Sequence, residues 1–133
     1  MPFHTFQPIR LVVAAFTVGA LALSSTAQAH PKLLSASPAA NSTAATTNKL
    51  KLTFSQTLAP QFSGMSILMT DMPGMKMKAP MSVGKVTSSV AADGKTLVGT
   101  LQSRLPAGTY KLGWHAVTTD THRVEGSYSF NVK

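Results

Sequence analysis

The chain has 133 residues, a formal net charge of +8 and no cysteine. This length allows one small domain at most. The absence of cysteine excludes a disulfide framework and a thiolate metal site, so a hydrophobic core alone must stabilise the fold.

The first 29 residues are typical of a secretory signal peptide. Arg10 carries the only side-chain charge in this stretch, Leu11–Leu23 is rich in apolar residues, and Ala27-Gln28-Ala29 forms an A-x-A cleavage site. The apolar run is shorter than the about 20 residues that span a bilayer, which disfavours the alternative of a retained membrane anchor. We therefore predict cleavage after Ala29 and an exported domain, residues 30–133, without membrane insertion.

In residues 30–133, nine lysines and two arginines stand against three aspartates and one glutamate, which leaves a net charge of +7. A balance this basic can indicate a nucleic acid or a membrane surface as partner. Here the cations are scattered singly along polar strand faces, with few aromatic residues between them. We interpret them as a solvated surface and predict no nucleic-acid partner.

From His30 onward the hydrophobic residues recur with the period of two that is typical of β-strands, and no stretch has a helical period. Pro38–Asn48 is predicted as a loop, and turns are expected at Asp93-Gly94 and Pro106–Gly108. About seven short strands in a hundred residues predict an all-β fold, an antiparallel Greek-key β-sandwich. The predicted strands are Leu33–Ser37, Lys49–Phe54, Gly64–Met69, Met81–Val90, Thr96–Leu101, Tyr110–Thr118 and Gly126–Val132.

Alternation along Tyr110–Thr118 predicts which of its side chains enter the core. Tyr110 and Trp114 fall on the inward face, and Trp114 is interpreted as a core anchor. His115 alternates away from Trp114 and is expected to face solvent rather than to bind a metal. Tyr110 follows Gly108 by two residues, a spacing that could form a tyrosine corner.

Six methionines lie within Gly64–Met81. Core packing explains Met65, and it can also explain Met69, because both lie in an apolar run. From Met69 onward the spacings are 3, 3, 2 and 4, and Pro73-Gly74 interrupts them, so no single face can bury the whole set. Several thioethers on a solvated loop favour a soft monovalent metal such as Cu(I). The candidate ligands are Met69, Met72, Met75, Met77 and Met81.

Cleavage after Ala29 would free an α-amine on His30, and amine and imidazole could then chelate one metal ion. Pro31 has no backbone N–H, so no second peptide nitrogen competes as a ligand. Asp120 and His122 are two residues apart, which directs both side chains to one side of an extended segment. Together these groups form a nitrogen and oxygen set that suits Cu(II). The alternative for Asp120 is a turn residue that caps its own backbone beside an exposed His122.

Several motifs together resemble the CopC family, periplasmic copper-binding proteins of bacterial copper resistance. They are A-Q-A-H-P-K-L at the predicted cleavage site, L-T-F-S, Q-F-S-G before M-x-x-M-P-G-M, and P-A-G-T-Y-K-x-x-W-x-A-V-x-x-D-T-H. The likeness covers residues 30–133. It implies a small β-sandwich of the cupredoxin-like, immunoglobulin-like type. The family has a Cu(II) site at one end of the sandwich and, in some members, a methionine-rich Cu(I) site at the other.

The resemblance places the Cu(II) ligands at His30, Asp120 and His122. It places the Cu(I) ligands at four methionines, Met69, Met72, Met75 and Met81. Where close relatives have a histidine in the methionine loop, this chain has Met77 nearby and one extra residue before Pro80, so Met77 is a further candidate. Relatives often have a glutamate where this chain has Gln56, and a carboxylate is therefore lost there.

The resemblance implies a periplasmic copper carrier and not an enzyme. Its implied partners are an inner-membrane copper-import protein and a periplasmic multicopper oxidase.

One alternative is a copper-dependent oxidase or monooxygenase, because an N-terminal histidine chelate is also the core of the histidine brace. Against it, Asp120 would tend to fill the Cu(II) plane and leave no position for O₂. The other is an immunoglobulin-like interaction module, which the joint occurrence of both donor clusters disfavours.

Overall fold

The computed structural model describes residues 30–133, so the predicted signal peptide, residues 1–29 with its cleavage site, lies outside the described residues. This part of the chain forms nine β-strands and one short 3-10 turn, Pro60–Phe62. It contains no helix that is long and apolar enough to cross a membrane. The strands are β1 Leu33–Ser37, β2 Thr43–Ala44, β3 Lys49–Phe54, β4 Gly64–Asp71, β5 Met81–Ser82, β6 Thr87–Val90, β7 Thr96–Thr100, β8 Gly108–Val117 and β9 Arg123–Val132.

The strands form two sheets, one of four strands in the order β1-β3-β7-β6 and one of five in the order β2-β9-β8-β4-β5. All neighbours are antiparallel except β2 and β9, which are parallel. Strands distant in sequence lie side by side, as β4 and β8 do. The predicted all-β class, a Greek-key β-sandwich, is confirmed.

The core follows from the alternation of side chains along the strands. In β3, Leu50, Leu52 and Phe54 are fully buried, while Lys49 and Lys51 are exposed on the opposite face. Side chains from the five-stranded sheet meet them, and burial of each large one contributes about 1.5–3 kcal/mol. The buried residues of that sheet are Met65, Ile67, Met69, Tyr110, Leu112, Ala116, Phe130 and Val132.

Two predicted segments differ from the structure by more than a shift of a strand end. The continuous strand predicted over Met81–Val90 is wrong, because β5 pairs with β4 in one sheet and β6 pairs with β7 in the other. Gly84, with φ of 119°, lies in the segment that crosses between the sheets and adopts a backbone conformation that other residues rarely reach. The predicted loop Pro38–Asn48 contains the two-residue strand β2, which pairs with the end of β9.

The tyrosine corner and the tryptophan anchor are both present. The Tyr110 hydroxyl donates to the Pro106 carbonyl at 2.5 Å, and burial raises the pKa of Tyr110. The Trp114 ring meets the Phe54 ring edge to face with centroids 5.1 Å apart. It also lies over Gly126, where any side chain would clash with the indole. Trp114 is half-buried rather than fully enclosed.

Strand β8 links the two ends of the sandwich. Thr109 near its start pairs with Asp71, so the methionine-rich loop that follows Asp71 lies at that end. The turn at residues 118–122 joins β8 to β9 at the other end. Ten residues at about 3.3 Å each separate these two ends by roughly 30 Å.

Candidate metal centres

A tight turn after β8 holds the first candidate centre. The Thr118 N–H donates to the His122 carbonyl at 2.9 Å, and the Thr121 N–H donates to the Thr118 carbonyl at 2.9 Å. Thr121 has a φ of 72°, which reverses the chain between Asp120 and His122. As a result, His122 Nδ1 lies 3.2 Å from Asp120 Oδ1.

The Asp120 side chain is in a state that suits a metal ligand, and the His122 imidazole lies beside it. The pKa of Asp120 is lowered, first by the Thr118 hydroxyl that donates to it and then by the neighbouring His122 imidazole. Asp120 is therefore a carboxylate at neutral pH. His122 Nδ1 is shielded from solvent and faces the Asp120 carboxylate at 3.2 Å.

The start of the described chain is held next to this turn. The Lys32 N–H donates to Ser55 Oγ at 2.9 Å, and the Ser55 N–H donates to the Lys32 carbonyl at 2.9 Å. Pro31 is buried, and His30 is exposed. The ring centroids of His30 and His122 are 5.7 Å apart, with the planes at 85°.

The structure thus brings the three predicted Cu(II) ligands to one end of the sandwich. They do not yet form a closed site, because no three His, Cys, Asp or Glu side chains within residues 30–133 stand close enough to hold a metal ion as they are. The His30 side chain is exposed to solvent, whereas Asp120 and His122 lie within the hydrogen-bonded turn.

Four methionines surround a pocket of about 470 Å³ at the opposite end. Met75 and Met81 are exposed, at 61% and 53%, whereas Met72 and Met77 are half-buried and pack against the core. A turn at Pro73-Gly74 brings Met72 and Met75 together, with the Met75 N–H donating to the Met72 carbonyl at 3.2 Å. The pocket lining contains no carboxylate, imidazole or thiol, so its metal-binding chemistry is that of thioethers. The remaining lining residues are Lys76, Lys78, Ala79 and Pro80.

Met65 and Met69 are core residues, as the apolar run suggests. Met65 is 8% exposed and packs beside Gly99, and Met69 is 2% exposed and packs beside Gly108. Met69 therefore does not line the pocket, although it is the backbone partner of Met81.

The other residues noted in the sequence lie apart from these centres or beside them. His115 is on the outer face of the five-stranded sheet, opposite Glu125 and against Gly64, and is half-buried rather than free in solvent. Gln56 follows Ser55 at the His30 end. Sequence reasoning missed Thr118 and Ser55, the hydroxyl residues that bond to the two ligand segments. The signal was present for Thr118, since a threonine two residues before an aspartate in a turn commonly bonds to its neighbours.

These features define a small β-sandwich with two separate candidate metal centres, one of nitrogen and oxygen donors and one of thioethers. Residues 33–133 match the family model of the CopC domain. The chain belongs to the CopC family.

Individual relatives agree with this assignment. The chain is 50% identical over 121 residues to copper resistance protein C of Pseudomonas syringae pv. tomato, covering 91% of this chain and 94% of that protein. The crystal structure of selenomethionine PcoC, a copper resistance protein from Escherichia coli, is similar with a TM-score of 0.72 and 42% identity, covering 77% of this chain and 99% of PcoC. The crystal structure of CopC from Methylosinus trichosporium OB3b is similar with a TM-score of 0.65 and 29% identity, covering 78% of this chain and 94% of that protein.

Proposed function

We propose that this protein is a periplasmic copper carrier that binds Cu(II) at the His30 end and Cu(I) in the methionine pocket. As a member of the CopC family, it is a copper-binding resistance protein and not an enzyme. The observation that carries the two-site proposal is the placement of two donor sets of opposite softness at opposite ends of β8. No side chain belongs to both sets, so two ions can bind independently.

The Cu(II) site would use the imidazole and freed amine of His30, the Asp120 carboxylate and the His122 imidazole. The 3.2 Å approach of His122 Nδ1 to the ionised Asp120 carboxylate supports this choice, because both donors face one point at this end of the sandwich. Amine, imidazole and carboxylate donors suit the tetragonal preference of Cu(II). The site depends on cleavage after Ala29, and the division into a signal peptide, residues 1–29, and a copper-binding domain, residues 30–133, is part of the same proposal.

The Cu(I) site would use the pocket thioethers of Met72, Met75, Met77 and Met81. Neutral sulfur donors favour Cu(I), which has no strong geometric demand, and offer little to Cu(II). Met69 stays a candidate by resemblance, although it would have to leave the core to bind.

The oxidase alternative is not retained, because CopC proteins are copper-binding proteins rather than enzymes. A carrier must pass copper on, and two exposed sites at opposite ends can meet different partners without moving the ion through the core. We propose an inner-membrane copper-import protein and a periplasmic multicopper oxidase as these partners.

The test is to load the processed protein with both oxidation states and to measure stoichiometry and X-ray absorption. We expect one Cu(II) with nitrogen and oxygen neighbours and one Cu(I) with sulfur neighbours. Met72→Leu combined with Met75→Leu should abolish only Cu(I) binding, because leucine keeps the bulk and removes the sulfur. Displacement of Cu(II) by Cu(I), or a Cu(I) spectrum without sulfur, would overturn the two-site proposal.

A further inference from the structure

Thr118 is a buried hydroxyl residue at the point where β8 enters the turn of Asp120 and His122. It is 2% exposed, one of the few buried polar residues among those described. A buried hydroxyl is costly unless it is hydrogen-bonded. Thr118 Oγ1 donates to Asp120 Oδ1 and accepts the His122 N–H at 3.1 Å. One hydroxyl therefore contacts both residues that the proposed Cu(II) site takes from this turn.

These bonds restrict each ligand residue in a different way. The bond to Asp120 engages Oδ1 and restricts the rotation of the carboxylate, while Oδ2 does not take part in it. The bond from His122 fixes the main chain from which the imidazole extends. Groups that hold metal ligands in place typically change metal affinity by about 10- to 100-fold when they are removed.

The turn is also closed by bonds that do not involve the hydroxyl. Two backbone bonds do that, from the Thr118 N–H to the His122 carbonyl and from the Thr121 N–H to the Thr118 carbonyl, both at 2.9 Å. Neither depends on the residue type at position 118. The backbone bonds of the turn would remain with another residue at position 118. What the threonine hydroxyl adds is its bonds to Asp120 and to the His122 N–H.

We propose that Thr118 is a positioning residue for copper binding, holding Asp120 and His122 in the arrangement that receives the ion. This inference rests on the proposed Cu(II) site. It assigns Thr118 no direct contact with the metal. It predicts that loss of the hydroxyl changes the geometry and affinity of the bound Cu(II), whereas loss of another buried hydroxyl does not.

The decisive comparison is Thr118→Val against Thr118→Ser, in protein purified after export and checked by mass for an N-terminal His30. Valine keeps the shape and removes the hydroxyl, while serine restores it. We expect Thr118→Val to lower Cu(II) affinity about 10- to 100-fold in a competition titration and to change the electron paramagnetic resonance spectrum. Thr118→Ser should keep both close to the unmodified protein.

Ser63 supplies a matched control, because it is also buried and its Oγ accepts the Val117 N–H at 3.0 Å without touching Asp120 or His122. Ser63→Ala should lower the unfolding temperature of the metal-free protein and leave the Cu(II) spectrum unchanged. If Thr118→Val fails to fold, Thr118→Ala takes its place, since it removes the hydroxyl without placing a methyl group against the Asp120 carboxylate.

His122→Ala separates failure of this inference from failure of the proposed site. Weakened Cu(II) binding in His122→Ala, combined with normal spectrum and affinity in the Thr118 variants without a hydroxyl, would overturn the role of Thr118 alone. Normal binding in His122→Ala would overturn the site and the inference together. An altered spectrum in Thr118→Ser or in Ser63→Ala would also contradict the assignment.

Discussion

Met69 and Met81 are backbone partners across β4 and β5, yet only Met81 reaches the surface. Met69 is 2% exposed and packs in the core beside Gly108, whereas Met81 is 53% exposed and lines the thioether pocket. Strand β5 has only two residues and lies at the edge of its sheet. No further strand covers it, so the Met81 side chain is exposed beside the methionine-rich loop. Two methionines that the sequence places in one candidate set therefore have different environments.

This difference predicts that the two residues contribute unequally to Cu(I) binding. Met81→Leu removes a thioether from the pocket and should weaken Cu(I) affinity at least about tenfold, or ~1.4 kcal/mol. Met69→Leu is a volume-conserving core change that should cost less than about 1.5 kcal/mol of stability and leave Cu(I) affinity near that of the unmodified protein. Competition titration with a Cu(I) chelator measures the first effect, and thermal unfolding measures the second.

Cu(II) binding is the internal control for both variants, because neither residue lies near His30. Equal weakening of Cu(I) binding by the two substitutions would show that Met69 leaves the core to bind the ion. That result would return Met69 to the ligand set that the family resemblance implies.

The alternation of apolar residues was enough to predict most strands of the sandwich. Leu33–Ser37 and Lys49–Phe54 have the predicted bounds, and the two strands pair with each other. Met81–Val90 was predicted as one strand because it reads as a single extended segment. Its division between two sheets depends on Gly84 and on partners far away in sequence, which a local pattern does not contain.

In the candidate sites, too, contacts between residues close in sequence were predictable, and contacts between distant residues were not. The spacing of Asp120 and His122 predicted that their side chains lie close together, but the prediction assumed an extended segment, whereas a turn at Thr121 brings them together. The bonds of Lys32 to Ser55 join residues 23 positions apart, so no local pattern singles out Ser55. Likewise, the methionine spacing indicated a loop but could not separate Met69, whose burial is decided by packing against β8.

The first residue of the processed chain is expected to decide Cu(II) affinity. One extra residue ahead of His30 keeps the imidazole but moves the α-amine away from the chelate. We expect Cu(II) affinity to fall by about two orders of magnitude, ~2.8 kcal/mol, in a competition titration. Cu(I) binding at the far end should not change. Equal Cu(II) affinity of the extended and processed proteins would rule out the amine as a ligand.

Asp93 is expected to make the fold sensitive to acid. Its Oδ1 accepts the N–H groups of Lys95 and Thr96, each at 2.9 Å, and its Oδ2 accepts the Thr96 hydroxyl at 2.7 Å. These bonds lower the pKa of Asp93, with the Thr96 hydroxyl as the largest cause. A lowered pKa in the folded state means that the stabilisation is complete above the ordinary aspartate value near 3.8 and is lost as the pH falls below it.

Asp93→Asn should therefore lower the unfolding temperature at pH 7 and reduce the further decrease between about pH 4 and pH 2. Thermal unfolding followed by circular dichroism over this range measures both effects. Asp71→Asn removes the same charge from the end of β4 and corrects for the change in net charge. An acid decrease as steep in Asp93→Asn as in the unmodified protein would contradict the role of this turn.

Ser55 is expected to set how readily His30 reaches the Cu(II) site. The Ser55 hydroxyl accepts the Lys32 N–H and so fixes the chain two residues after His30, within reach of His122. Ser55→Ala removes this acceptor from a solvent-accessible position, and the stability lost should be about 1 kcal/mol or less. Without this bond the N-terminal segment is less ordered before it binds copper, and ordering it costs free energy. Cu(II) affinity should therefore fall by about tenfold or less.

Thr47→Ala is the matched control, because Thr47 Oγ1 accepts the Lys49 N–H at 3.1 Å near the other end of β3. If the two variants bind Cu(II) equally well in competition titration, Ser55 does not position His30.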